Sequence, residues 1–210
     1  MDNTGIKAIV FDLGNVLIDF DHYIAARRMS CFTNRDPKEI FDLFFDSELT
    51  GLFEEGKISP TDFFLKLKQA LSFNDLSYEE FLPIWNEIFF LTDKNRQVYR
   101  LAKELKNYYK IALLSNINVL HFDYLKNKFT IFSPFETIIT SFEVGVRKPH
   151  PLIYEKTLER LGITQPNCVF YTDDRPELVR EAQRLGINSF TFQDVYQLEK
   201  DLRQLGIDIT

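Results

Sequence analysis

"KAIVFDLGNVLIDFD", residues 7–21, is the stretch from which the fold can be worked out. Ala8, Ile9, Val10 and Phe11 make a continuous β-prone apolar run, the pattern of a strand covered on both faces in a parallel sheet. Asp12 falls at its carboxyl end, and a glycine, Gly14, follows two residues on. In open α/β sheets that edge is where ligands bind, because the strand-to-helix loops converge there. A strand-terminal Asp can equally cap a turn. Its role depends on what else the chain brings to the same edge.

After this strand the apolar spacing becomes helical. Residues 22–32, 37–47, 60–71 and 78–91 carry apolar positions at three- and four-residue intervals. Asp36 before Pro37 and Ser59 before Pro60 are N-cap and first-turn pairs, and Ser77 with Glu80 forms a capping box. From Asp93 onward, helices alternate with strands: "YKIALLS" (109–115), "ETIITS" (136–141), "CVFYTDD" (168–174) and "NSFTF" (188–192). Such alternation implies an α/β fold, a Rossmann-like parallel sheet with helices on both faces. The expected division is a core domain of residues 1–19 and 92–210 and an inserted, small all-helical unit over 20–91.

Composition narrows the function. The 210 residues are 45% hydrophobic and 27% charged, ordinary for a globular protein. A net charge of -6 without any Lys/Arg-rich run argues against a nucleic-acid partner. No apolar run approaches the ~18 residues of a membrane span, so a cytoplasmic protein without membrane association is expected. The two cysteines, Cys31 and Cys168, lack metal-ligand spacing and are expected to be reduced packing residues. The 21 phenylalanines recur at helical spacing, as in Phe63, Phe64 and Leu67, which points to packing. Nothing in the pattern specifies an oligomeric state.

Four predicted strand regions deliver matched polar groups to one edge: Asp12, Ser115, Asp173 with Asp174, and Lys148 in the loop after "TIITS". Singly, each has a plain alternative: a turn serine, a surface lysine, a pair of aspartates capping the helix at Pro176. Together, three carboxylates repel one another unless a cation lies between them, and all-oxygen ligands suit Mg²⁺. A lysine and a serine beside them suit the oxygens of a phosphoryl group.

These residues resemble the haloacid dehalogenase-like hydrolase superfamily over nearly the whole chain. The four motifs are "FDLGN" (11–15), "LLSN" (113–116), "RKP" (147–149) and "YTDDRPE" (171–177). The insertion is similar to the family's C1-type helical cap, and "LFEEGKIS" (52–59) resembles a cap loop of sugar-phosphate phosphatases. The resemblance implies that Asp12 is the nucleophile and forms an aspartyl phosphate. Ser115 and Asn116 would hold phosphate oxygens, and Lys148 would neutralise the transferring group. Asp12, the Gly14 carbonyl and Asp174 would bind Mg²⁺, with Asp173 supporting Asp174 or exchanging roles with it.

Two departures stand out. Most phosphatases of the superfamily carry an acid two residues after the nucleophile, where this chain has Gly14, so the proton shuttle is missing: either another group, with Asp19, Asp21 or a cap residue as candidates, supplies it, or the substrate needs little of it. The position four after Asp174, often Asp or Asn in the family, is Leu178, with Glu177 adjacent. The expected function is a Mg²⁺-dependent phosphatase acting on a small phosphorylated metabolite, sugar phosphates included. The alternative is a catalytically weak protein of the same fold that binds a phosphorylated ligand or a protein partner. Halide displacement, which also uses an Asp nucleophile, needs no metal, and the Asp173/Asp174 pair argues against it.

Overall fold

Strand β1 (Ala8–Phe11) is buried along its whole length at the centre of a five-stranded sheet in the computed structural model, which describes residues 5–45, 47–73 and 75–209. Positions 1–4 of the expected core segment, 46 and 74 of the expected insertion, and 210 lie outside the described residues. The two-residue strands β2 (Asp19–Phe20) and β3 (Phe89–Phe90) pair antiparallel with each other. β4 (Lys110–Ser115), β5 (Thr137–Thr140), β6 (Val169–Asp173) and β7 (Asn188–Thr191) join β1 in the order β5-β4-β1-β6-β7, every pairing parallel.

Among the described residues, five α-helices lie between β2 and β3 in the chain: α1 (His22–Met29), α2 (Pro37–Phe44), α3 (Glu48–Glu54), α4 (Pro60–Leu71) and α5 (Tyr78–Asn86). The rest surround the sheet: α6 (Asp93–Leu105), α7 (Val119–Lys128), the single turn α8 (Ser141–Val144), α9 (Pro151–Leu161), α10 (Pro176–Arg184) and α11 (Val195–Gln204). Strand residues alternate between the two faces. Ile9, Phe11, Ile111 and Leu113 pack with Leu101, Leu125 and Leu202 of α6, α7 and α11. Ala8, Val10, Ala112 and Leu114 pack with Ile153, Tyr154 and Ala182 of α9 and α10. This two-sided cover is why the strands are apolar throughout.

Residues from Ala25 to Ile88 form a separate buried cluster. Phe53 stacks on Phe63 with ring centroids 4.2 Å apart, and Phe63 meets Trp85 edge-on at 4.8 Å, so these phenylalanines serve packing. Asp36, Ser59 and Ser77 cap their helices as the sequence predicts.

Three boundaries differ. The helix expected over 78–91 stops at Asn86, because Phe89 and Phe90 pair with Phe20 and Asp19 to tie the two chain crossings together. The helix expected over 37–47 stops at Phe44, and Ser47 caps a new one, α3, its hydroxyl accepting from the Thr50 N–H at 3.2 Å. That helix takes in the first residues of the predicted 52–59 loop. Cys168 is buried as expected, but Cys31 is exposed. Among the described residues, no helix is long and apolar enough to cross a membrane.

Candidate active site

The β1–β6 ladder extends one residue past the strand, the Asp12 N–H donating to the Thr172 carbonyl at 2.9 Å, so Asp12 stands at the carboxyl edge of the sheet. The chain then turns through Asn15 at φ 56°, with the Asn15 N–H bonded to the Ile18 carbonyl at 2.8 Å. Lys94 donates from Nζ to the Asn15 carbonyl at 2.8 Å and fixes the turn from outside. Asn15 Nδ2 reaches Asp174 Oδ2 at 2.9 Å, linking this loop to the one after β6. The left-handed residue of the turn is thus Asn15, and Gly14 is not among the positive-φ residues. Gly14 is instead under steric pressure: a Cβ there would stand 2.8 Å from Cε1 of the Phe20 ring.

Lys148 is the hub, at 4% exposure. Its three ammonium protons are shared among four acceptors: Asp12 Oδ1 and Asp173 Oδ2, both at 2.6 Å, the Leu114 carbonyl at 3.1 Å and the Tyr171 hydroxyl at 3.2 Å. Tyr171, two residues before Asp173 and on the same face of β6, donates its own hydroxyl proton to Asp173 Oδ2. Asn116 clamps the backbone of the lysine: its Oδ1 accepts from the Lys148 N–H at 2.7 Å and its Nδ2 donates to the Lys148 carbonyl at 2.9 Å. A surface lysine is therefore ruled out.

The electrostatics follow from burial. Desolvation pushes the Asp12 carboxyl up; Lys148 pulls it down, and Asp173 and Asp174 push it up again. Asp174 is raised mainly by burial, against the hydrogen bond from Asn15. Burial alone would lower Lys148, but Asp12 and Asp173 outweigh it and hold the ammonium charged. Carboxylate oxygens of Asp12, Asp173 and Asp174 lie within 4.8 Å of one another, with one ammonium among them. Hard oxygen donors, so close and under-compensated, fit a divalent cation. Both Asp173 oxygens are already engaged, Oδ1 accepting from the Arg175 N–H at 3.0 Å. Asp174 is the more available of the pair. The cap of α10 is Arg175, not the aspartate pair, and it makes no side-chain capping bond.

All seven residues singled out in the sequence, Asp12, Gly14, Ser115, Asn116, Lys148, Asp173 and Asp174, line one cavity of about 290 Å³. Ser115 is buried at its floor. Of the suggested replacement acids, Asp19 is occupied by Lys94, Thr92 and Asn95, and Asp21 caps α1 while pairing with Arg27. Neither lines the cavity. Glu177 pairs with Arg175 and is absent from the lining too, whereas Leu178 is buried against it.

Sequence reasoning missed the upper wall: Phe20, His22, Phe45, Thr50, Glu54 and Arg147. Arg147 pairs with Glu54 at 3.1 Å, and Ser141 Oγ donates to the Glu54 carbonyl at 2.6 Å. These contacts bring the end of α3 down onto the loop carrying Lys148. Arg147 could have been suspected as Lys148's neighbour, and Tyr171 from its two-residue spacing to Asp173. The other wall residues sit among many similar ones and carry no local signal.

This fold and this set of strand-end groups define the haloacid dehalogenase-like hydrolases, and the chain belongs to that family, whose model matches residues 6–186. Among curated relatives it is 26% identical to the sesquiterpene phosphatase astK of Aspergillus oryzae, covering 96% of this chain and 97% of that one. It is also 26% identical to the D-ribitol-5-phosphate phosphatase of Bacteroides thetaiotaomicron, over 88% and 91% of the two chains. A crystal structure of a HAD family enzyme from the same bacterium, in complex with magnesium and inorganic phosphate, superimposes with a TM-score of 0.78 at 27% identity, covering 90% of this chain and 96% of that one.

Proposed function

We propose that the chain is a Mg²⁺-dependent phosphatase that hydrolyses a small phosphorylated metabolite, sugar phosphates included, through an aspartyl phosphate on Asp12. The observation that carries this reading is the Lys148 clamp: one buried ammonium bonded to Asp12 and Asp173 at 2.6 Å, within a cluster of three carboxylates on a cavity floor. The phosphatase relatives and the magnesium- and phosphate-bound neighbour point the same way.

In this mechanism an Asp12 oxygen attacks phosphorus and the bond to the leaving oxygen breaks; water then cleaves the acyl phosphate, releasing inorganic phosphate and restoring Asp12. Ser115 and the Asn116 backbone hold the phosphoryl oxygens. Lys148 orients Asp12 and offsets charge on the transferring group. Asp12, Asp174 and the Gly14 carbonyl would hold Mg²⁺, with Asp173 in support through Lys148. When bound, the cation supplies positive charge to the carboxylates and the phosphoryl oxygens. Residues 20–91 act as a cap and, together with Arg147, supply the upper wall that selects the leaving group.

A screen of phosphorylated metabolites with Mg²⁺, in parallel with chelator and with the Asp12→Asn variant, tests the reading. Phosphate release that needs both the metal and Asp12 is expected. Release that survives chelation would point to other chemistry.

A further inference from the structure

Among the described residues, the carboxyl groups lining the cavity are those of Asp12, Asp173, Asp174 and Glu54. The three aspartates belong to the floor. Glu54, the last residue of α3, belongs to the upper wall, and it also lines a smaller recess of about 70 Å³ together with Gly14, Ser115 and Asn116. The acid missing at position 14 therefore has one carboxylate facing its place, delivered from the opposite side of the site.

That carboxylate is firmly seated. Arg147 Nη1 donates to Glu54 Oε2 at 3.1 Å. The Ser141 hydroxyl donates to the Glu54 carbonyl at 2.6 Å and accepts from the Ile117 N–H at 3.0 Å, tying the end of α3 to the loop that follows Ser115 and Asn116. Two glycines allow so close an approach: a Cβ at Gly51 would stand 2.7 Å from Arg147 Nη2, and one at Gly56 would stand 2.4 Å from the Phe142 carbonyl oxygen. The Glu54 side chain is still 23% exposed, against none for Asp173, so water can reach it.

A glutamate is ordinarily ionised near pH 7, and the guanidinium of Arg147 matches that charge. Glu54 can accept a proton but has none to give a departing oxygen. Phosphoryl transfer keeps the attacking and leaving oxygens roughly in line. Water attacking the phosphorylated Asp12 must then enter through the space the leaving group has vacated, on the side of the upper wall.

Resting on the phosphatase reading above, we infer that Glu54 is a catalytic residue, the general base of the second step. It takes a proton from water as the water oxygen bonds to phosphorus. The bond from phosphorus to Asp12 breaks, its electron pair returns to the Asp12 carboxylate, and the proton passes from Glu54 to solvent as phosphate leaves. The acid-base work is thus divided: the first step proceeds without an acid, and the second is assisted from the cap.

The test follows 4-nitrophenyl phosphate hydrolysis with Mg²⁺ by rapid mixing, in the natural protein and in Glu54→Gln. Gln keeps the volume and an oxygen for Arg147 but is no base near neutral pH. In the variant kcat is expected to fall by about 10²–10⁴-fold, while kcat/KM, which reports the first step, stays close to that of the natural protein. A burst of nitrophenolate, matching the enzyme present, should precede the slow phase, and acid-quenched protein should carry the mass of one added phosphoryl group. If Glu54→Gln does not fold, Glu54→Ala carries the same expectation, with added formate restoring part of kcat. Equal losses in kcat and kcat/KM without phosphorylated protein, or unchanged turnover, overturn the inference and leave the phosphatase reading intact. A natural protein that releases no nitrophenolate overturns both.

Discussion

Gly14 shows how one missing side chain sets the demands on a site. General acid-base help is worth about 10²–10⁴-fold, and no carboxyl of the first turn reaches the cavity to supply it. The rate should therefore depend steeply on leaving-group acidity, with aryl phosphates ahead of alkyl ones. Gly14→Asp should raise turnover of alkyl phosphates most, flattening that dependence. The obstacle is the Phe20 ring, since Gly14 is not among the positive-φ residues. Overpacking of this kind costs about 1–3 kcal/mol, so the single variant should melt lower and Gly14→Asp/Phe20→Leu should regain part of the loss. Thermal melts, with rates on aryl and alkyl phosphates, check both statements. The floor of the site was legible because strand ends place Asp12, Ser115 and Asp173 at one edge by topology alone. The Asn116 clamp and the His22 ring were not, because each depends on which way a side chain turns after the chain has folded.

At the scale of elements, the contact between α3 and the loop after β5 carries the upper wall. Gly56 sits at φ 65°, and a Cβ there would lie 2.4 Å from the Phe142 carbonyl oxygen. Gly56→Ala combines a left-handed backbone with a clash against main chain. It should destabilise by about 1–3 kcal/mol and change substrate preference as the loop shifts. Arg147→Ala removes the partner of Glu54 and should alter the relative kcat/KM of different metabolites more than that of a small aryl phosphate. A melt and a substrate panel on each variant read these effects, and unaltered preference in both would separate α3 from selectivity. Helix starts were legible because Asp36, Ser59 and Ser77 cap through local bonds. The end after Asn86 was not, since the β2–β3 pairing joins segments about seventy residues apart that no local pattern connects.

Across the whole molecule, His121 of α7 joins the sheet's covering helices to the Ala25–Ile88 cluster by stacking on Trp85. Its Nε2 lies 3.0 Å from the Trp85 carbonyl of α5, which only accepts, so Nε2 carries the proton and Nδ1 accepts from Asn118 at 3.1 Å. Burial pushes its pKa down to about 3, helped by the nearby His22, while the bond to Trp85 opposes this. The unfolded chain, with an ordinary value of about 6.5, binds more protons between those limits, so stability is lost as pH falls from about 6.5 towards 3. The slope approaches ~1.4 kcal/mol per pH unit for this one group. His121→Leu should be less stable at pH 7 yet lose less on acidification, and the difference between the two proteins cancels other titrations. The sheet itself was legible from its two-sided apolar strands, and its covering helices from their alternation with those strands. The central claim is phosphoryl transfer to Asp12, and the most direct measurement follows phosphate release from 4-nitrophenyl phosphate with Mg²⁺ by the natural protein and by Asp12→Asn. The account predicts steady turnover by the first and essentially none by the second, with melting temperatures within a few degrees because the change is nearly isosteric. Substantial turnover by purified, folded Asp12→Asn would contradict it.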